Sequence, residues 1–272
     1  MEPLTLAFLV TLGAGLATGI GSLLAFLQRE PSKKFLAFML GLSAGVMLYV
    51  SMIEIFQKAV KSLMEATGSY ETGYIWATVG FFGGFIVISI IDYFIDHFYH
   101  PGHNHLETDS TLHEKDDIDI DDKTMMRTGL FMALAIGIHN FPEGLATFMA
   151  TLQEPGLGLA FAFAIAIHNI PEGIAVSIPI YQATKSKAKA FWYSLVSGFA
   201  EPVGALVGFF LLSQFIDDYF FGVVFAGVAG IMVYISLDEL LPSARRIDHH
   251  LPIVGVFCGM VIMALSLILF MV

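Results

Sequence analysis

Eight stretches of this chain are each long enough and apolar enough to cross a lipid bilayer, and few folds can accommodate that. They run over roughly 4–27, 35–57, 72–94, 128–150, 156–181, 190–212, 219–241 and 252–272. A helix needs ~20 residues to cross the hydrocarbon core. Charged residues make up 14% of the chain, where a soluble domain would carry about 25%. The expectation is an all-α polytopic membrane protein with eight transmembrane helices, residues 1–272 forming one domain. The opening "MEPL" has no basic region and its apolar run is long, so span 1 reads as a helix rather than a cleaved signal peptide. One cysteine, Cys258, excludes an internal disulfide. A net charge of −11 without basic patches argues against nucleic acid as a partner.

Lysine and arginine set the orientation. Eleven of them fall in the segments after spans 1, 3, 5 and 7, and only Lys58 and Lys61 fall after span 2. That bias predicts a multi-pass protein of the cell membrane with both termini outside the cytoplasm. The segment at about 97–127 becomes a cytoplasmic loop. It holds five of the nine histidines and a run of aspartates, a composition that suits a solvated linker or weak metal binding.

Two internal echoes stand out. "HNFPEG" at 139–144 returns 29 residues later as "HNIPEG" at 168–173. "AGVMLYVSMIEIFQKA" (44–59) aligns with "AGIMVYISLDELLPSA" (229–244), seven of sixteen positions being identical. Each echo pairs spans of opposite direction. The pattern predicts a 3+2+3 inverted repeat, with spans 1–3 matching 6–8 and span 4 matching span 5. Transporters built this way bind substrate at the repeat interface.

The polar residues of the motif sit mid-span, where a charge costs about 2.5–3.5 kcal/mol or more. His139 and Glu143 are one helical turn apart, as are His168 and Glu172, so each pair shares a face. Pro142 and Pro171 leave the carbonyls of Ile138 and Ile167 without their helical donors, which predicts kinks. Glu201 lies at the same depth in span 6. Two imidazoles and two carboxylates suit tetrahedral Zn²⁺, and also Fe²⁺, Co²⁺, Ni²⁺ or Mn²⁺. Three carboxylates with Asn140 and Asn169 would make a second, oxygen-rich site, with Glu143 and Glu172 bridging two metals. Hydrogen bonding between helices is the plain alternative for any one of these groups; seven of them at one level favour a shared cation.

At these residues the chain resembles the ZIP (Zrt/Irt-like) metal transporters, most closely a bacterial branch of that family. The likeness covers essentially the whole chain. It implies uptake of Zn²⁺, with Fe²⁺, Mn²⁺, Co²⁺ and Cd²⁺ as further cargo, into the cytoplasm through a binuclear midmembrane centre. One metal would be held by His139, Glu143, His168 and Glu172, and the other by Asn140, Glu143, Asn169, Glu172 and Glu201. The metal would be cargo, with no cofactor and no enzymatic activity. The family also implies an elevator-like motion of spans 1, 4, 5 and 6 against 2, 3, 7 and 8. From the topology, Glu54 is expected as an outer-mouth ligand, and Asp92, Asp238 and Glu239 as inner-mouth ligands. A metal-selective channel, a metal receptor and an intramembrane metallohydrolase compete with this reading. The hydrolase is disfavoured by the lack of HExxH. The lipid bilayer and divalent ions are the partners expected, and a homodimer is left open.

Overall fold

The computed structural model describes residues 2–26, 33–99, 122–212 and 217–270, and these are almost wholly helical. Among the described residues, eight rods are built from eleven α-helices. Rod 1 is α1 (Pro3–Ala25). Rod 2 is α2 (Lys33–Val50), a π-helical turn (Ser51–Ile55) and α3 (Phe56–Thr67). Rods 3, 4 and 5 are α4 (Tyr70–Tyr99), α5 (Asp122–Gln153) and α6 (Pro155–Thr184). Rod 6 is α7 (Lys187–Gly198) and α8 (Ala200–Leu212). Rod 7 is α9 (Asp218–Ile235), a second π-helical turn (Ser236–Leu240) and α10 (Leu241–Ile247). Rod 8 is α11 (Leu251–Phe270).

Seven of the rods are, over the described residues, long and apolar enough to cross a membrane. The eighth expected span lies within the 32 residues of α5. The His- and Asp-rich segment falls mostly outside the described residues, between the end of α4 and the start of α5.

Local chemistry explains where the rods begin and end. Proline opens α1 and α6, where a missing N–H costs nothing. The side chains of Ser186 and Asp217 cap α7 and α9, accepting from the amides of Lys189 and Phe220. Gly68 closes α3 at φ 70°, a left-handed conformation that glycine adopts without penalty.

Prolines act differently in different rods. Span 6 is not continuous, because Phe199 separates α7 from α8. Gly198 and Pro202 flank the break, and Pro202 has no N–H to offer the Gly198 carbonyl. Conversely, the helical runs of α5 and α6 continue through Pro142 and Pro171. The neighbouring turns hold the helix across each missing bond.

Glycines carry the closest helix crossings, and these crossings recur. A Cβ built on Gly21 would lie 1.9 Å from the carbonyl of Ile170, and one on Gly204 would lie 2.0 Å from that of Phe141. Gly173 faces the carbonyl of Thr18, and Gly144 that of Glu201. Each of these pairs maps onto its partner by adding 183 in rods 1 and 6 and 29 in rods 4 and 5. The carbonyl of Leu42 meets Gly259 as that of Gly227 meets Gly84, intervals of 185 and 175. The two π-helical turns also fall 185 apart. Every such backbone contact of a described glycine stays within rods 1, 4, 5 and 6 or within rods 2, 3, 7 and 8. One buried apolar cluster draws on both groups, with Leu40, Met47, Met149, Phe161, Ile165 and Met232 among its larger members and Ala44 and Ala175 among its smaller ones.

Candidate metal centre

Six of the expected residues lie on α5, α6 and α8. Asn140 and Glu143 come from α5; His168, Asn169 and Glu172 from α6; Glu201 from the first turn of α8. All six are fully buried. Glu201 lies in the first turn of α8, two residues past Phe199. His139 is on α5 beside Asn140, and its side chain lies outside the described residues.

Two pairs of these groups bond to each other. His168 Nε2 lies 3.1 Å from Glu143 Oε2. Asn169 Nδ2 donates to Glu201 Oε1 and also, at 2.9 Å, to the carbonyl of Ala14. Asn140 Nδ2 donates to the carbonyl of Ser197 at 3.3 Å. Those donations turn the amide oxygens away from the backbone. Asn140 Oδ1, Glu143 Oε1, Asn169 Oδ1 and Glu201 Oε2 are buried acceptors with no hydrogen-bond donor among the described residues.

Sequence reasoning overlooked Ser43 of α2, whose hydroxyl lies 3.4 Å from both Glu172 Oε1 and the His168 carbonyl. A single serine on a face of small residues carries no signal in the sequence. Among the described residues, no three His, Cys, Asp or Glu side chains already surround one ion-sized point. Glu143, Glu201 and Glu172 instead meet an imidazole, an amide and a hydroxyl.

Charge is what this arrangement lacks. No lysine or arginine occurs between residues 128 and 184 or between 190 and 244. Buried carboxylates without a partner cation are strongly unfavourable. The donor set is imidazole, carboxylate and amide oxygen, which are ligands for a divalent cation.

The outlying carboxylates are separate from this cluster. Glu54 sits in the π-helical turn of rod 2, ion-paired to Lys58 at 3.3 Å. It lines a cavity of about 930 Å³ with Lys58, Lys61, Glu65 and Glu154. Asp92 of α4 and Asp238 of rod 7 share the Tyr234 hydroxyl, 2.8 and 3.1 Å from their Oδ2 atoms. Glu239 follows Asp238 in the second π-helical turn. A hydroxyl has one proton, so Tyr234 donates to one aspartate at a time.

A bundle of membrane-length helices around buried acidic and imidazole groups, with no fixed countercharge, defines a membrane protein that handles cations. The sequence matches the family described as ZIP Zinc transporter over residues 2–117 and 96–267. The chain belongs to that family, whose members are transporters and not enzymes, and the metallohydrolase reading falls away. It is similar to proteins named Zinc transporter ZupT from several bacteria. It is 55% identical to that of Chlorobaculum parvum over 99% of both chains. It is 54% identical to that of Oceanobacillus iheyensis over 99% of both, and 56% identical to that of Lysinibacillus sphaericus over 97% of both.

Proposed function

We propose that this protein takes up zinc, and with it Fe²⁺, Mn²⁺, Co²⁺ and Cd²⁺, into the cytoplasm through the centre on α5, α6 and α8. The observation that carries the reading is the meeting of Glu143, Glu172 and Glu201 in a fully buried cluster without a lysine or arginine. A dehydrated divalent cation supplies the charge this cluster lacks. His139, His168, Glu143 and Glu172 would hold one ion. Asn140, Asn169 and Glu201, with the same two bridging glutamates, would hold a second. Glu54 in its cavity would meet the ion at the outer mouth, and Asp92, Asp238 and Glu239 would receive it at the inner one. The positive-residue bias supports both termini lying outside the cell membrane.

Alternating access is favoured over a channel. The constant residue intervals between matched crossings support an inverted repeat. The confinement of glycine crossings to two sets of four rods supports two stiff bodies. Side-chain packing between them can rearrange. In this reading, rods 1, 4, 5 and 6 carry the cation past rods 2, 3, 7 and 8.

The test is zinc entry into liposomes holding a zinc-sensitive dye. Glu143→Ala combined with Glu172→Ala is expected to abolish it; entry equal to the unaltered protein rejects the site. Saturation of the unaltered protein at low zinc is the expected mark of a carrier. Unsaturated flux would favour the channel.

A further inference from the structure

The two asparagines of the centre are anchored alike, and the likeness points to a residue on α1. Asn140 holds the carbonyl of Ser197, and Asn169 that of Ala14. Ser197 and Ala14 are 183 residues apart, the interval that also relates Gly198 to Gly15 and Gly204 to Gly21. One helical turn beyond Ser197 lies Glu201, and one turn beyond Ala14 lies Thr18. Their carbonyls are approached by the motif glycines, Gly144 on Glu201 at 2.0 Å and Gly173 on Thr18 at 1.9 Å. Thr18 therefore stands in the first half of the chain where Glu201 stands in the second.

Its hydroxyl is unusual for a helical threonine. Thr11, Thr147 and Thr151 donate to the carbonyl four residues back, at 2.9, 2.9 and 2.7 Å. Thr18 is fully buried and its Oγ1 has no hydrogen-bond partner among the described residues. The carbonyl that would serve it, that of Ala14, accepts from Asn169. Oγ1 is directed at the α7–α8 junction, 2.8 Å from where a Cβ on Gly198 would sit. The next residue back, Ser197, anchors Asn140, whose Oδ1 also has no donor.

We propose that Thr18 is a further oxygen donor to the transported divalent cation, paired with Asn140 as Glu201 is paired with Asn169. The inference rests on the reading of the centre given above. A neutral hydroxyl opposite a carboxylate makes the two sides of the centre unequal. The cation is held firmly beside Glu201 and loosely beside Thr18, so it has a side from which to leave.

The test is calorimetric titration of Zn²⁺ into the full-length protein in detergent, alongside its melting temperature and liposome uptake. Thr18→Val keeps the shape and removes the hydroxyl. It is expected to weaken zinc binding about tenfold, the scale of one lost neutral contact to a charged group, with little change in melting temperature. Thr18→Ser is expected to restore binding. Thr18→Asp places a carboxylate opposite Glu201 and is expected to bind zinc at least about tenfold more tightly, by the same measure, while releasing it more slowly. Unaltered affinity in Thr18→Val overturns the proposal, as does Thr18→Asp binding no tighter than the unaltered protein. Glu143→Ala with Glu172→Ala is titrated in parallel. Undiminished zinc binding there removes the centre itself, an outcome distinct from the failure of Thr18 alone.

Discussion

Gly144→Ala tests whether the centre depends on backbone contact between α5 and α8. The added methyl would lie 2.0 Å from the Glu201 carbonyl oxygen and 2.4 Å from its Cα. Ordinary contact begins near 3.4 Å, so the crossing must open by about 1.4 Å. The obstacle is backbone, which cannot rotate aside as a long side chain would. Overpacking of this kind costs about 1–3 kcal/mol, occasionally more. The displacement also separates Glu143, the residue before Gly144, from Glu201. Two losses are therefore expected: a lower melting temperature, by roughly 2–4 °C per kcal/mol, and zinc uptake cut at least about tenfold, as for any site loosened by 1 Å. Gly13→Ala is the internal control, since nothing lies within 4 Å of its added methyl. If the two variants match in melting temperature and in liposome uptake, the backbone-contact account is wrong.

Lys58→Met frees Glu54 of its ion pair. A half-buried i,i+4 pair of this kind is worth about 0.3–0.5 kcal/mol, so stability should barely move while uptake at low zinc rises; a slower uptake would show that the lysine assists rather than competes. Tyr234→Phe leaves Asp92 and Asp238 without their shared hydroxyl. It should lower stability by about 1 kcal/mol and leave zinc affinity at the centre unchanged by calorimetry. Asp248, in the turn before α11, is held below the usual carboxylate range by the amide of Leu251, then that of His250. A depressed value stabilises the turn above that range and loses its effect as the pH falls through the folded value. The protection of the His250 and Leu251 amides, measured against their intrinsic exchange rates at each pH, should thus hold steady near neutral pH and fall in acid toward that of Asp248→Ala.

What could be read in advance follows from which forces leave a periodic or repeated mark. Apolar length marked the spans because lipid demands it of every crossing residue. The cost of burying His168, Glu143 and their echoes marked the centre, because polar groups at that depth have few other reasons to be there. The break at Phe199 was not legible: Gly198 and Pro202 signal it, but Pro142 and Pro171 send a similar signal from helices that continue. The π-helical turns at Glu54 and Glu239 depend on one surplus residue per turn, which no residue type announces. Ser43 and Thr18 were missed because a buried hydroxyl usually serves its own helix. Only the partner geometry separates those that do from those that do not.

Glycine crossings inside each set of four rods and an apolar cluster shared by the sets imply two distinguishable kinds of damaging mutation. A larger residue at Gly21, Gly144, Gly41 or Gly259 pries apart a clasp, and the product should be lost to misassembly. On the alternating-access reading proposed above, a larger residue at Leu40, Met47, Met149 or Ile165 of the shared apolar cluster should be tolerated by folding and instead hold the protein in one posture, abundant in the membrane and inert.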